Sequence, residues 1–157
     1  MKAPMRRLIS IVLTITAMTA LACQPEDESP GLWLRGELAT ERVDDWAFAR
    51  DIEEIFIETR PWYGIPHSTT IWCVELAGGL YVGSYGDEKK TWEMNIASDS
   101  RAELAIGGKL YPVTLTPVAL PASIAALDVA YAQKYDMADV FGDELPKWWY
   151  YRVSSVP

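Results

Sequence analysis

Ser84, Lys89 and Lys90 place a hydroxyl and two ammonium groups within seven consecutive positions, between a strand-like run and a helix-like one. A hydroxyl, a compact cation and the free amides of a helix start together suit a phosphate. Asp87 and Glu88 stand directly before the lysines and oppose a phosphate unless their side chains turn away. The plain alternative is a solvated turn carrying a charge run. The stretch is not a nucleotide-triphosphate loop, because that motif needs Gly-Lys-Ser/Thr and here Lys90-Thr91 follows Glu88-Lys89. His67 is the single histidine, and its titration range suits a general base or a haem ligand. No second titratable group is placed beside it by spacing. No nucleophile elbow Gly-x-Ser-x-Gly is present, and one histidine with one strand thiol, Cys73, makes no metal cluster.

The elements that must position these groups follow from periodicity. Glu54 to Thr59 alternates as a half-buried strand, and Ser68 to Ala77 is rich in β-branched and aromatic residues. Gly78-Gly79 reads as a two-residue hairpin turn into the strand Leu80–Ser84, since primed turns need positive φ. Gly107-Gly108 repeats the device between Arg101–Ile106 and Lys109–Val118. Lys89 to Ala97 forms a helix with Trp92 and Ile96 on one face, and Ala122 to Tyr135 a second, started by Pro121. Helical spacing also shows at Val43, Trp46, Ala47 and Arg50, with Asp44 and Asp45 in the first turn. Trp148 to Val153 is a last strand, with Trp148 and Tyr150 on one face and Trp149 and Tyr151 on the other. The fold class is therefore mainly β (α+β): an antiparallel β-barrel of about six strands with helices at the barrel ends.

The amino terminus reads as an export signal. Lys2, Arg6 and Arg7 precede the apolar run Leu8–Ala22, which is too short to span a bilayer comfortably and ends in small-x-small. Ala20-Leu21-Ala22-Cys23 resembles the lipobox of bacterial lipoproteins, so Cys23 is expected to carry lipid, a plainly secreted or periplasmic chain being the alternative. This divides the chain into a signal peptide (1–22), a lipidated cysteine with a flexible acidic tether (23–38) and one barrel domain (39–157). All 22 acidic residues but only 11 of the 14 basic ones follow residue 22. So acidic a chain disfavours nucleic acid, which needs a basic face. With Cys23 lipidated, Cys73 is a lone thiol protected by burial in a strand; a Cys23–Cys73 disulfide is the alternative.

Ile65-Pro66-His67-Ser68-Thr69-Thr70-Ile71-Trp72-Cys73-Val74, followed by Gly78-Gly79-Leu80-Tyr81-Val82-Gly83-Ser84, resembles the core of the pyridoxamine phosphate oxidase-like split β-barrels. Lys90 six residues after Ser84, Asp99-Ser100-Arg101 before Ala102–Ile106, and Tyr150–Val153 as a closing strand extend the resemblance. It implies that Ser84 and Lys90, with Lys89 as the alternative lysine, hold the phosphate of FMN. It further implies that Ser68, Thr69 and Thr70 hydrogen-bond towards the ring, that Trp72 or Trp92 stacks on it, and that the protein is a homodimer. The function expected is an envelope-anchored, flavin-binding oxidoreductase. The competing expectation is a non-enzymatic lipoprotein that keeps the barrel without the cofactor and binds a small apolar ligand or a protein partner.

Overall fold

Each alternating run becomes a strand. A computed structural model describes residues 31–156; the expected leader, Cys23 and the first part of the tether lie outside the described residues. In chain order the elements are β1 (Glu37–Leu38), β2 (Glu54–Thr59), β3 (His67–Leu76), β4 (Gly79–Tyr85), α1 (Thr91–Ser98), β5 (Arg101–Ile106), β6 (Lys109–Pro117), α2 (Pro121–Lys134), α3 (Met137–Phe141) and β7 (Trp148–Ser155). Strands β2 to β7 pair antiparallel in the closed order β5-β2-β3-β4-β7-β6, with β6 returning to β5. The split β-barrel expected from the sequence is therefore the fold, and β1 adds a seventh, parallel strand outside it against β6.

The inward positions carry the core. Ile55, Ile57, Cys73, Leu80, Val82, Leu104, Val113 and Val153 are buried together inside the barrel. Full burial of one such aliphatic chain stabilises by about 1.5–3 kcal/mol. Helix α1 plugs one end with Trp92 and Ile96, and Asn95 Nδ2 donates to Thr59 Oγ1 at 3.0 Å. Helix α2 lies on the outer face, where Leu127, Tyr131 and Tyr135 pack with Val74 and Tyr150. Two polar groups fasten it: Lys134 Nζ donates to the carbonyls of Ile52 (2.5 Å) and Cys73 (2.8 Å), and Tyr135 Oη accepts the Cys73 amide at 3.0 Å. Between them Cys73 is a buried thiol with no disulfide partner among the described residues. Burial pushes its pKa up to about 11, Lys134 offsetting part of the effect, so it stays protonated at neutral pH.

Two local expectations change. The first hairpin pairs Leu76 with Gly79, so its turn residues are Ala77 and Gly78, at φ 53° and 81°, and Gly79 belongs to β4. The second hairpin turns on Gly107-Gly108 as expected, at φ 58° and 80°. The helix expected over 43–50 is only a single 3₁₀ turn, Ala47–Ala49. Its amides are taken by other partners. Asp45 Oδ1 accepts from Ala47 N–H at 2.9 Å, Trp46 N–H donates to Gly78 O at 2.9 Å, and Val43 N–H donates to Ser155 Oγ at 3.1 Å. A side chain that offers the backbone a local acceptor competes with the helix.

Residues 31–39 run along the barrel. Gly31 O accepts the Ser68 amide at 3.5 Å, Leu34 N–H donates to Glu58 Oε2 at 2.8 Å, and Ala39 N–H donates to Leu110 O at 2.8 Å. Glu58 is buried, and it faces Glu103 directly across the β2–β5 pair. Burial and the neighbouring Glu58 charge raise the pKa of Glu103, with Arg60 working against them. Among the described residues no helix is long and apolar enough to cross a membrane.

Candidate functional site

The cleft forms where two strands part. β3 pairs with β4 only from Trp72 to Leu76, so His67–Ile71 have β2 on one side and no strand on the other. On its other side β4 pairs with β7 over Tyr81–Tyr85, so Ser84 and Tyr85 reach past the end of the β3 pairing, and α1 begins beyond them. The opening has a volume of about 520 Å³. Ser68, Thr69, Thr70, Trp72, Ser84, Lys90 and Trp92 all line it, so seven residues proposed from sequence meet in one place. Lys89 does not line it. Its ammonium points behind α1 into a separate groove, 3.4 Å from the centroid of the Trp149 ring.

Ser68 is the unusual member. Its Oγ is buried and has no hydrogen-bond partner among the described residues. Leaving a buried hydroxyl unpaired costs about 1–3 kcal/mol, so such a group is a natural place for a ligand atom or a water. Trp72 stacks on Tyr135 (4.3 Å, 6°) and Trp148 (6.1 Å, 22°), tying the cleft wall to α2 and β7. Trp92 is 4% exposed and packs edge-on against Tyr151 at 5.1 Å, so it serves the barrel core as well as the cleft floor. Gly83 also lines the cleft. A methyl group there would meet Tyr131 Oη at 2.9 Å, so the close approach of α2 requires glycine.

Ser84 is already engaged. Its hydroxyl donates to Glu93 Oε2 at 2.5 Å, and the Lys90 amide donates to the same oxygen at 2.8 Å. Lys89 Nζ (3.0 Å) and Tyr151 Oη (2.7 Å) donate to Oε1. Two donors on each oxygen saturate a carboxylate. Burial works to raise the Glu93 pKa, but the bonds from Ser84, Lys90, Tyr151 and Lys89 overcome it and hold it below its ordinary 4.5. The donors that sequence reasoning assigned to a phosphate are thus gathered around an internal anion, and only Lys90 keeps its side chain in the cleft. Lys90 Nζ lies 5.1 Å from the Tyr85 ring centroid.

His67 lies half-buried at the cleft mouth, with Tyr63 Oη 2.5 Å from its Nε2. Asp99 and Arg101, which matched the family pattern, form an exposed fork pair at 2.6–3.1 Å that caps the α1–β5 connection away from the cleft. The hydrogen bonds from Arg101 hold the Asp99 pKa down to about 2. Glu54 and Tyr85 line the cleft, and Glu93 lies behind it in the groove that Lys89 enters; sequence reasoning singled out none of the three. For Glu93 a signal existed, since Lys89 and Glu93 are spaced i, i+4 across the start of the helix.

The model of a family described as an uncharacterized protein conserved in bacteria (DUF2255) matches residues 48–144, more than half of the chain. No curated protein matches. Among solved structures, a conserved Mycobacterium tuberculosis protein, Rv2991, superposes with a TM-score of 0.51 at 18% identity, over 76% of this chain and 87% of that one. A candidate pyridoxamine 5′-phosphate oxidase from Listeria innocua gives 0.50 at 10% identity, over 67% and 85%. A third, titled as a domain-swapped dimer, gives 0.51 at 18% identity, over 66% and 81%. At these identities the likeness is one of fold: the pyridoxamine phosphate oxidase-like split barrel.

Proposed function

This chain belongs to the bacterial family DUF2255 and folds as a split barrel, and on that premise we propose that its cleft holds a planar heteroaromatic cofactor of the flavin class and supports oxidoreduction. The observation that carries the reading is the partnerless buried hydroxyl of Ser68, placed among Thr69, Thr70 and aromatic walls. The residues present fit such a ring: hydroxyls for its polar edge, indoles for its apolar body and one ammonium, Lys90, beside it. A bound flavin supplies the exchange of a hydride or of single electrons, which no side chain here performs alone. The chain's own part is to bind and orient. Ser68 would donate to a ring heteroatom, Trp72 and Trp148 would exclude water from one side, and the hydrogen-bonded pair Tyr63–His67 would stand at the mouth.

The test is an absorption and fluorescence titration of the purified protein with flavins. A shifted flavin band, lost in Ser68→Ala and reducible by dithionite in the bound state, supports the reading. Absence of binding at high micromolar flavin removes it. A second reading is favoured by one observation, the commitment of Ser84 and Lys89 to Glu93: a barrel that binds a small apolar ligand without redox chemistry. Displacement of an environment-sensitive apolar dye, with no flavin binding, would select it.

The reading includes export with a lipid on Cys23, supported by Ala20-Leu21-Ala22-Cys23, and a homodimer, supported by the family resemblance and by the domain-swapped structural neighbour.

A further inference from the structure

We infer that the cleft takes a flavin-type ring that lacks a phosphate at the α1 end, because Glu93 occupies the place of that phosphate with its own carboxylate. The inference rests on the flavin reading above and narrows it to a ligand class. Four donors converge on Glu93: the Ser84 hydroxyl (2.5 Å), the Lys90 amide (2.8 Å), the Lys89 ammonium (3.0 Å) and the Tyr151 hydroxyl (2.7 Å). A hydroxyl, an ammonium and an amide at a helix start are the donor set that suits a phosphate. Here they leave no lone pair of Glu93 unmet, and the Glu93 side chain is 0% exposed. A phosphate entering from the cleft would have to strip these donors from a buried carboxylate, or sit beside it as a like charge. Both are unfavourable.

The charges facing the cleft agree. Among the described residues, Glu54 and Lys90 are those of the lining that carry full charge, one of each sign, so they offer no excess positive charge to balance a phosphate dianion. Asp87 and Glu88 precede the lysines and add negative charge on the solvent side. An uncharged ring needs none of this compensation. The partnerless Ser68 hydroxyl and the indoles of Trp72 and Trp148 provide what it does need, a polar edge contact and apolar surface.

Parallel fluorescence titrations of the purified full-length protein with riboflavin and with FMN, at low ionic strength where lysine–phosphate attraction is strongest, decide the matter. Riboflavin binding as tightly as FMN, or more tightly, is the expected result. FMN binding more tightly than riboflavin overturns the inference and leaves the flavin reading standing. Binding of neither overturns the flavin reading and this inference with it. Glu93→Gln, which keeps the shape and removes the charge, is expected to swing the preference towards FMN by about tenfold. An unchanged preference in a folded Glu93→Gln protein would take the discrimination away from Glu93. The wild-type ratio stands as evidence even if that variant fails to fold.

Discussion

Ser68 and Glu93 set opposite tests of the same cleft. Ser68 has a buried hydroxyl with nothing to bond, so Ser68→Ala should raise the stability of the unliganded protein by about 1 kcal/mol. The same change should weaken flavin binding by about tenfold. Urea unfolding and a flavin titration on one variant measure both, and a purely structural serine would lose stability instead. Glu93 has a native pKa below its ordinary 4.5, so its ionised form stabilises the fold above that value and the contribution is lost as pH falls towards the native pKa. Glu103 has the reverse sign, because its raised native pKa makes stability fall as pH climbs through the range above 4.5. Urea midpoints recorded from about pH 3.5 to 6 should therefore rise less steeply with pH in Glu93→Gln and more steeply in Glu103→Gln than in the wild type.

The strands and turns were legible because their signals are local. Alternation gave β2 its bounds, Glu54–Thr59, and the glycine pairs announced both hairpins. What the glycine pair at 78–79 does not reveal is register, which long-range pairing decides, and pairing shifts the first turn back onto Ala77. Ala77 sits at φ 53°, where an alanine pays about 1–2 kcal/mol for its Cβ. Ala77→Gly should consequently stabilise the protein by about 0.5–1 kcal/mol after the extra entropy of glycine, read as a higher urea midpoint. Gly83→Ala should do the opposite, costing about 2 kcal/mol by driving Tyr131 off the outer face of β4. The cleft was legible in part for the same reason. Ser68–Thr70 and Ser84 sit at strand positions that the alternation and hairpins define, whereas the fate of the two lysines depends on how α1 rotates onto the barrel. That rotation brings Glu93 under Ser84 and carries Lys89 behind the helix; the Trp92–Ile96 face shows which side meets the core, but not which donors Glu93 collects there. The missing helix at 43–50 has the same origin: Gly78 O and Ser155 Oγ, far away in sequence, take its amides.

At the scale of the molecule, 22 acids against 14 bases leave nothing for a polyanion to hold, and no retention on a duplex DNA or RNA column at physiological salt is the expected behaviour. Export with lipid on Cys23 predicts a mature chain that begins at that cysteine with the mass of added acyl groups, measurable by mass spectrometry of the membrane fraction. A mature chain with an unmodified amino terminus would instead identify a soluble exported protein. The segment 31–39 gives this topology a mechanical side. Gly31 O is bonded to the Ser68 amide, Leu34 to Glu58, Glu37 to Gly108 and Ala39 to Leu110, so residues 31–39 are held to the barrel at four points. Among the described residues, tension on an anchored amino terminus would meet the Gly31–Ser68 bond first, on the open edge of β3 beside the cleft. A membrane that pulls on this protein would therefore be pulling on the lip of the candidate cleft.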